Sequence, residues 1–313
     1  MSSPTKSDAS RDADAVAILQ EIEDRGFFKQ CTDLEQVKKL LAEDTITLYA
    51  GFDPTFRSLH VGHLVPLFLM AHLARAGHQV IVLTGGGTAR IGDPSGKTEM
   101  RKMLTIDQIS QNAEAISAQL EKILASQGLS AHYANNAAWL EGLNYIEFLR
   151  DIGRHFSVNR MLSFETYKMR LETGLSFIEF NYQLLQSYDF LELYRRRGCT
   201  LQVGGDDQWG NIVAGADLIR RVEQAEAHGL TVPLVTRSDG KKMGKTEKGA
   251  LFLDPELTSP YEFFQYWRNV PDADVGKFLR FFTFLPLDEI AKLESAQGRA
   301  LNDSKEVLAT EFT

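Results

Sequence analysis

The sequence predicts a doubly wound α/β unit built on a parallel sheet, followed by a small all-helical unit. Three observations carry this prediction. Strand and helix patterns alternate up to residue 235; Gln79-Val-Ile-Val-Leu-Thr84 is an almost continuous β-branched and apolar run, as in a strand buried on both faces; and strand patterns stop beyond Pro255. At 313 residues the chain is long enough for about two domains. Hydrophobic residues make up 43% and charged residues 24%, and no apolar stretch approaches the roughly 20 residues of a membrane span, so a soluble protein with no membrane partner is expected.

Residues 1–14, rich in Ser, Asp and Ala, read as a disordered leader, and the first unit spans 15–235. Val16, Ile18, Leu19 and Ile22 suit a helix, as do Leu34, Val37, Leu40 and Leu41; these two read as a lid or flank. A strand over Ile46–Phe52, a turn at Asp53-Pro54-Thr55 and a helix from Leu64 to Ala76, closed by Gly77, lead into the Gln79–Thr84 strand. Two strands joined by one helix make a right-handed βαβ crossover. Helices follow over Ile106–Gln127, 142–155 and 177–197, then a strand at Thr200–Val203, a helix over Asp207–Ala227 and a strand at Leu230–Val235. Beyond a linker, helices are expected at Tyr261–Trp267, Asp274–Phe282 and Leu287–Leu293. The amphipathic 304–313 segment meets no Gly, Asn or Pro, and reads as a cut inside a helix or as a natural terminus there.

Lys and Arg number 34 against 42 Asp and Glu, a net charge of −8, so a polyanion must be met by a local basic patch. The two cysteines, Cys31 and Cys199, lie far apart, and no apolar secretory segment precedes them, which places the chain in a reducing cytoplasm.

Two segments carry chemistry. His60-Val-Gly-His63 follows the first strand and starts a helix, where free N–H groups suit an anion; Gly62 bares the backbone and both imidazoles can donate to phosphoryl oxygens. At this chain's composition a chance His-x-Gly-His has an expectation of about 0.01. A zinc pair is the competing reading, but two histidines leave two tetrahedral positions empty. Arg237-Ser-Asp-Gly-Lys-Lys-Met-Gly-Lys-Thr246 is a cationic, glycine-bearing loop suited to closing on a polyphosphate, although alone it reads equally as a solvated surface loop.

Together the segments resemble the class I aminoacyl-tRNA synthetases, whose signatures are a His-Ile-Gly-His element and a Lys-Met-Ser-Lys-Ser loop; here they read His60-Val-Gly-His63 and Lys242-Met-Gly-Lys-Thr246. Tyr49-Ala-Gly-Phe-Asp-Pro-Thr55, Gly92-Asp-Pro-Ser-Gly-Lys97, Tyr182-Gln-Leu-Leu-Gln-Ser-Tyr-Asp189 and Gly204-Gly-Asp-Asp-Gln-Trp-Gly-Asn211 are similar to the bacterial tyrosyl-tRNA synthetases. The resemblance implies a Rossmann-like catalytic domain that activates L-tyrosine with ATP and transfers it to tRNA(Tyr). It implies that Tyr49 and Asp189 read the phenol hydroxyl and that Asp93, Tyr182, Gln186 and Gln202 complete the tyrosine site. Gly51, Asp53, Gly62, Gly205, Asp207, Gln208 and Lys245 would surround ATP, with Thr55, His60, His63, Lys242, Lys245 and Thr246 as catalytic groups. Lys97 and Arg101 would assist the pyrophosphate or lie at a solvated helix start. Magnesium would accompany ATP, with no metal held by the protein. The spacing agrees independently, since Tyr182, Gln186 and Asp189 fall at i, i+4 and i+7 of one helix.

The resemblance further implies a homodimer. An insertion near 130–175 would carry the dimer contact, with Arg150, Arg154, Arg160, Lys168 and Arg170 facing tRNA or solvent. Residues 236–258 would form the mobile signature loop and linker, 259–313 would begin an anticodon-side helical domain, and the family's RNA-binding tail is expected to be absent. The alternatives are a tryptophan-specific relative, which does not need the Tyr49–Asp189 pair, a general nucleotidyltransferase, which lacks the amino-acid motifs, and a non-catalytic RNA-binding relative, against which the intact signatures speak. A Rossmann dehydrogenase is disfavoured because Gly85-Gly-Gly87 is no G-x-G-x-x-G turn.

Overall fold

The computed structural model describes residues 17–43, 45–96, 99, 103–240, 243–246 and 249–313; the expected leader at 1–14 lies outside them. Among the described residues, β1 (Gln30–Cys31), β2 (Thr47–Phe52), β3 (Gln79–Thr84), β4 (His132–Asn135), β5 (Cys199–Gly205) and β6 (His228–Val232) form one sheet in the order β1-β6-β5-β2-β3-β4. All neighbours run parallel except β1, which pairs antiparallel with β6 at the edge. From β2 the chain steps outward through β3 to β4, then returns to place β5 and β6 on the other side. The strand order therefore reverses between β2 and β5, and the carboxyl ends of these two strands open the crevice where α/β sheets bind ligands.

Period-two alternation splits the strands between two cores. Leu48, Ala50, Phe52, Val80 and Val82 face one core, shared with the Leu64–Arg75 helix and with Phe27, Trp267, Phe278 and Phe282. Tyr49, Ile81 and Leu83 face the other, against Phe190, Leu191 and Leu218. The expected early helices, at 17–24 and Leu34–Glu43, are not a lid or flank. Ile18, Leu19, Ile22, Val37 and Leu41 are buried in the first core. Arg25, 3% exposed, donates to the carbonyls of Arg280, Thr283 and Leu285, fastening the first helix to the later helices.

Two edge strands escape the sequence pattern. β1 has only two residues, and β4 is polar and mostly exposed, so backbone pairing rather than an apolar run defines them. The helix expected over 207–227 is Trp209–Glu223, preceded by a 3-10 turn at Asp206–Gln208 and stopped by Gln224 at φ 55°. The last parallel strand ends at Val232 because Pro233 has no N–H to donate. Beyond residue 255 come helices Pro260–Arg268, Val275–Phe282, Leu287–Glu294 and Arg299–Phe312. Among the described residues no helix is long and apolar enough to cross a membrane.

Candidate active site

The predicted residues converge where β2 and β5 end. Tyr49 lies in register with Gln202 across the switch point. Gly51 is the last residue but one of β2 and Gly205 ends β5, Asp53 and Thr55 follow β2, and Asp207 and Gln208 occupy the turn after β5. The Phe177–Arg197 helix covers this face, Tyr49 packing on Phe190 with ring centroids 5.3 Å apart. Its start is fixed by a Ser176–Glu179 capping box and its end by Gly198 at φ 61°. Glu179 also receives Arg170 at 2.9 Å with both side chains 2% exposed, so Arg170 is part of the scaffold rather than of a surface facing tRNA. From this helix Tyr182 and Asp189 are buried and Gln186 is half-buried.

The Tyr49 hydroxyl, Gln186 Oε1 and Gln202 Oε1 are buried without a hydrogen-bond partner. Leaving such an atom unpaired costs about 1–3 kcal/mol, and two of the three belong to residues paired across the switch point, where a polar ligand could meet them. Asp189 sits beside them with its oxygens occupied. Its Oδ2 accepts from Asn136 Nδ2 at 2.8 Å and its Oδ1 from Trp139 Nε1 at 2.7 Å. Burial outweighs both donors and pushes the carboxyl up to about 8. The same burial, with the nearby Asp189 charge, raises the Tyr49 phenol.

A chain of buried and half-buried hydrogen bonds continues from Asp189. Asn136 Nδ2 also donates to Thr88 Oγ1 at 2.9 Å, and its Oδ1 accepts from Gly87 N at 2.7 Å. Thr88 donates to Asp53 Oδ1 at 2.7 Å, and the Tyr182 hydroxyl donates to Asp53 Oδ2 at 2.8 Å. The resemblance implies Tyr182 beside the amino acid and Asp53 beside ATP; in the structure the two side chains are bonded directly. A second group behaves alike. Asp93 accepts from Ser95 N at 2.9 Å and from Gln208 Nε2 at 2.8 Å, while Gln208 Oε1 accepts from Asn211 at 3.0 Å. Burial, reinforced by the charge of Asp93, raises the Asp207 carboxyl.

Sequence reasoning missed Thr88, Asn136 and Trp139. Asn136 follows the edge strand β4, whose polar sequence gives no pattern to read. A signal was present in Gly85-Gly-Gly87: a Cβ on Gly85 would lie 1.9 Å from Asp53 Oδ1, so these glycines admit the network to the strand end.

His60-Val-Gly-His63 forms a 3-10 turn closed by its own imidazoles. His60 Nδ1 accepts from Gly62 N and His63 Nδ1 from His60 N, each at 3.1 Å, and the rings stack with centroids 3.9 Å apart. Each Nδ1 thus serves as an acceptor within the turn. Gly62 is exposed, and a Cβ there would meet the His60 ring at 2.9 Å. Gly51 is open, with nothing within 4 Å of its Cβ position, whereas at Gly205 that position lies 2.6 Å from Asp207 Oδ1. Thr55 is half-buried, its N–H donating to the Asp53 carbonyl at 2.8 Å.

The cationic segment meets this element through backbone. Val61 N donates to the Leu251 carbonyl at 3.1 Å and Leu251 N to the Gly244 carbonyl at 2.7 Å. Lys245–Thr246 pairs antiparallel with Gly249–Ala250, so both predicted loop residues enter a short hairpin. Lys242, with Lys97 and Arg101, lies outside the described residues.

Residues 41–313 match the family described as tRNA synthetases class I (W and Y). A tyrosine–tRNA ligase of Caldanaerobacter subterraneus subsp. tengcongensis is 58% identical over 298 residues, 95% of this chain and 73% of that protein. Its counterpart in Borrelia duttonii is 59% identical over 296 residues, covering 94% and 72% respectively. The chain belongs to the tyrosine–tRNA ligase family. A C-terminally truncated mitochondrial tyrosyl-tRNA synthetase from Aspergillus nidulans superposes with a TM-score of 0.84 at 30% identity, over 97% of this chain and 93% of that one. A tryptophanyl-tRNA synthetase of Encephalitozoon cuniculi, at 13% identity, TM-score 0.70 and coverage of 97% and 88%, shares the fold. The family membership makes the chain a ligase of the aminoacyl-tRNA synthetase kind. The Val61, Gly244 and Thr246 variations from the class signatures all fall on the described backbone that joins the two signature segments.

Proposed function

We propose that the crevice binds tyrosine by its phenol, beside ATP, and makes tyrosyl adenylate. The supporting observation is the buried, unpartnered Tyr49 hydroxyl near Asp189, whose carboxyl is held by Asn136 and Trp139. A phenol is both donor and acceptor: its O–H can donate to the Asp189 carboxylate while its oxygen accepts from Tyr49. Phenylalanine would leave both groups unpaired, and the indole N–H of tryptophan only donates. Gln186 and Gln202 offer unpartnered carbonyl oxygens suited to an ammonium group, with Asp93 and Tyr182 completing the amino-acid side.

In this reading an oxygen of the tyrosine carboxylate attacks the α-phosphorus of ATP in line. The new O–P bond forms as the bond to the bridging α,β-oxygen breaks, and pyrophosphate leaves with the electron pair. The attacking carboxylate is already an anion, so no protein nucleophile or base is required, and the work is positioning and charge stabilisation. The direct Tyr182–Asp53 and Asp93–Gln208 bonds tie the amino-acid side to the nucleotide side, where that attack would occur. Gly51, Gly62 and Gly205 would admit the nucleotide against backbone, and Asp207 would take a ribose hydroxyl. Thr55, His60, His63, Lys242, Lys245 and Thr246 would meet the phosphates. Magnesium would travel with ATP; among the described residues no three His, Cys, Asp or Glu side chains gather to hold a metal ion. The adenylate then passes its tyrosyl group to the terminal ribose of tRNA(Tyr), with release of AMP.

A homodimer is part of the proposal. Tyr145, Ile146, Val158, Met169, Leu171 and Phe177 are exposed within or beside the 130–175 insertion, an apolar set suited to a second copy. The deciding experiment is amino-acid-dependent ATP–pyrophosphate exchange with tyrosine, phenylalanine and tryptophan on the unaltered chain and on Asp189→Ala. Exchange with tyrosine alone, lost in the variant, is the expected outcome; a folded, ATP-binding chain that exchanges with none of them refutes it.

A further inference from the structure

Gly244 stands where the class signature carries serine, and the structure gives that position an unusual setting. Its φ of +73° is one that L side chains rarely adopt, and a Cβ there would lie 2.2 Å from Val61 Cγ2. The bare Gly244 backbone is thus packed directly on the His60–His63 element. Its carbonyl accepts from Leu251 N at 2.7 Å, and its N–H donates to the hydroxyl oxygen of Tyr266 at 2.8 Å. The preceding residue, Met243, is buried, and its N–H donates to the Val235 carbonyl at 3.2 Å.

Tyr266 comes from a different part of the chain, the Pro260–Arg268 helix. Its ring stands edge-on to Trp267 with centroids 5.0 Å apart. Trp267 is fully buried against Phe278, Phe282 and Phe312. The hydroxyl is therefore presented by a close-packed aromatic cluster to the one backbone N–H that precedes Lys245.

We propose that Tyr266 is a positioning residue for the cationic signature segment. Its hydroxyl holds the Gly244 peptide against Val61, and so sets where the Lys245–Thr246 hairpin begins relative to the His60–His63 element. It touches neither substrate; it acts through Gly244. The inference rests on the reading that this segment serves ATP.

Tyr266→Phe removes the acceptor and keeps the ring on Trp267. The loss of one neutral hydrogen bond corresponds to roughly a three- to tenfold change in an equilibrium. In tyrosine-dependent ATP–pyrophosphate exchange the variant is expected to lose that much kcat/KM for ATP, with KM for tyrosine unchanged and the Tm lowered by no more than the roughly 2–4 °C that one such bond corresponds to. In a Lys245→Ala background the same substitution should have no further effect. Trypsin should cut the 241–248 segment three- to tenfold faster in Tyr266→Phe than in the unaltered chain. Equal losses towards both substrates, a Tm lowered by more than those few degrees, or an unchanged cleavage rate would each overturn the proposal. If the unaltered chain supports no exchange, the adenylation reading fails, while the trypsin comparison still decides whether Tyr266 holds the segment.

Discussion

The two halves of the crevice are built by different means. On the side proposed for the amino acid, side chains do the building: Tyr182, Thr88, Asn136, Asp189 and Trp139 are linked by hydrogen bonds that run through Asp53 at the border with the proposed nucleotide side, with unpartnered atoms on Tyr49, Gln186 and Gln202. On the side proposed for the phosphates backbone does it: an open Gly51, a self-capped histidine turn and a short antiparallel strand pair joined to it by peptide hydrogen bonds. In the proposed reading the contrast follows from what each half would recognise. Discriminating a phenol from a phenyl ring needs desolvated groups that are penalised when left unpaired. A polyphosphate is met by N–H donors and cations whose strength lies in charge, and it needs room to arrive and leave.

The contrast can be broken most sharply at Asp189. Asp189→Ala should cut kcat/KM for tyrosine by about 100-fold or more, since it removes a charged acceptor and strands the Asn136 and Trp139 donors. KM for ATP should hardly move in the same assay, and a matching loss for ATP would erase the distinction between the halves.

The next largest effect compares two glycines. Gly85→Ala drives a methyl group into Asp53 Oδ1 and should destabilise the fold by about 1–3 kcal/mol, measured by urea denaturation. Gly51→Ala meets nothing within 4 Å and should leave stability within about 0.5 kcal/mol. If Gly51 proved the costlier site, the phosphate half would be as tightly packed as its neighbour.

pH separates the halves by charge. With the Asp189 carboxyl pushed up to about 8, kcat/KM for tyrosine should rise about tenfold per unit below that pH and level off above it. The corresponding profile for ATP at saturating tyrosine should lack this limb. Stability runs the opposite way. The folded-state carboxyl takes up protons more readily than the unfolded one, so its contribution is complete below about pH 4 and is lost as pH rises through about 8. Asp189→Asn should flatten that decline in a series of melting curves.

The smallest effect is expected at Tyr49. Tyr49→Phe deletes an unpartnered buried hydroxyl, so the free protein should gain about 1 kcal/mol while KM for tyrosine rises about tenfold. A loss of stability would mean that the hydroxyl is satisfied in the free protein, and that it is not held in readiness for a ligand.

Much of this was legible in the residues. The apolar Gln79–Thr84 run, the Leu64–Arg75 helix and the Phe177–Arg197 helix appear where hydrophobic periodicity puts them, because burial on both faces or along one stripe leaves a local pattern. Tyr182, Gln186 and Asp189 could be placed on one helix for the same reason. β1 and β4 could not be seen: edge strands are defined by pairing with a neighbour that lies far away in sequence. Asn136 and Trp139 were invisible with them, since nothing local distinguishes a turn asparagine that supports a carboxylate from one that faces water. Arg170 was misplaced on the surface because its partner Glu179 lies across a turn between two helices.

By itself the sequence determined the kinds of element, the two signature segments and their order, since these depend on neighbours within a few positions. Only the tertiary structure decided that the strand order reverses between β2 and β5, that Tyr49 stands beside Gln202, and that Asp53 is bonded to Tyr182 129 residues away. Those contacts exist because packing the strands side by side brings distant carboxyl ends together. A buried polar group must then find its partner among whatever the fold has placed within 3 Å, and no local pattern encodes that choice.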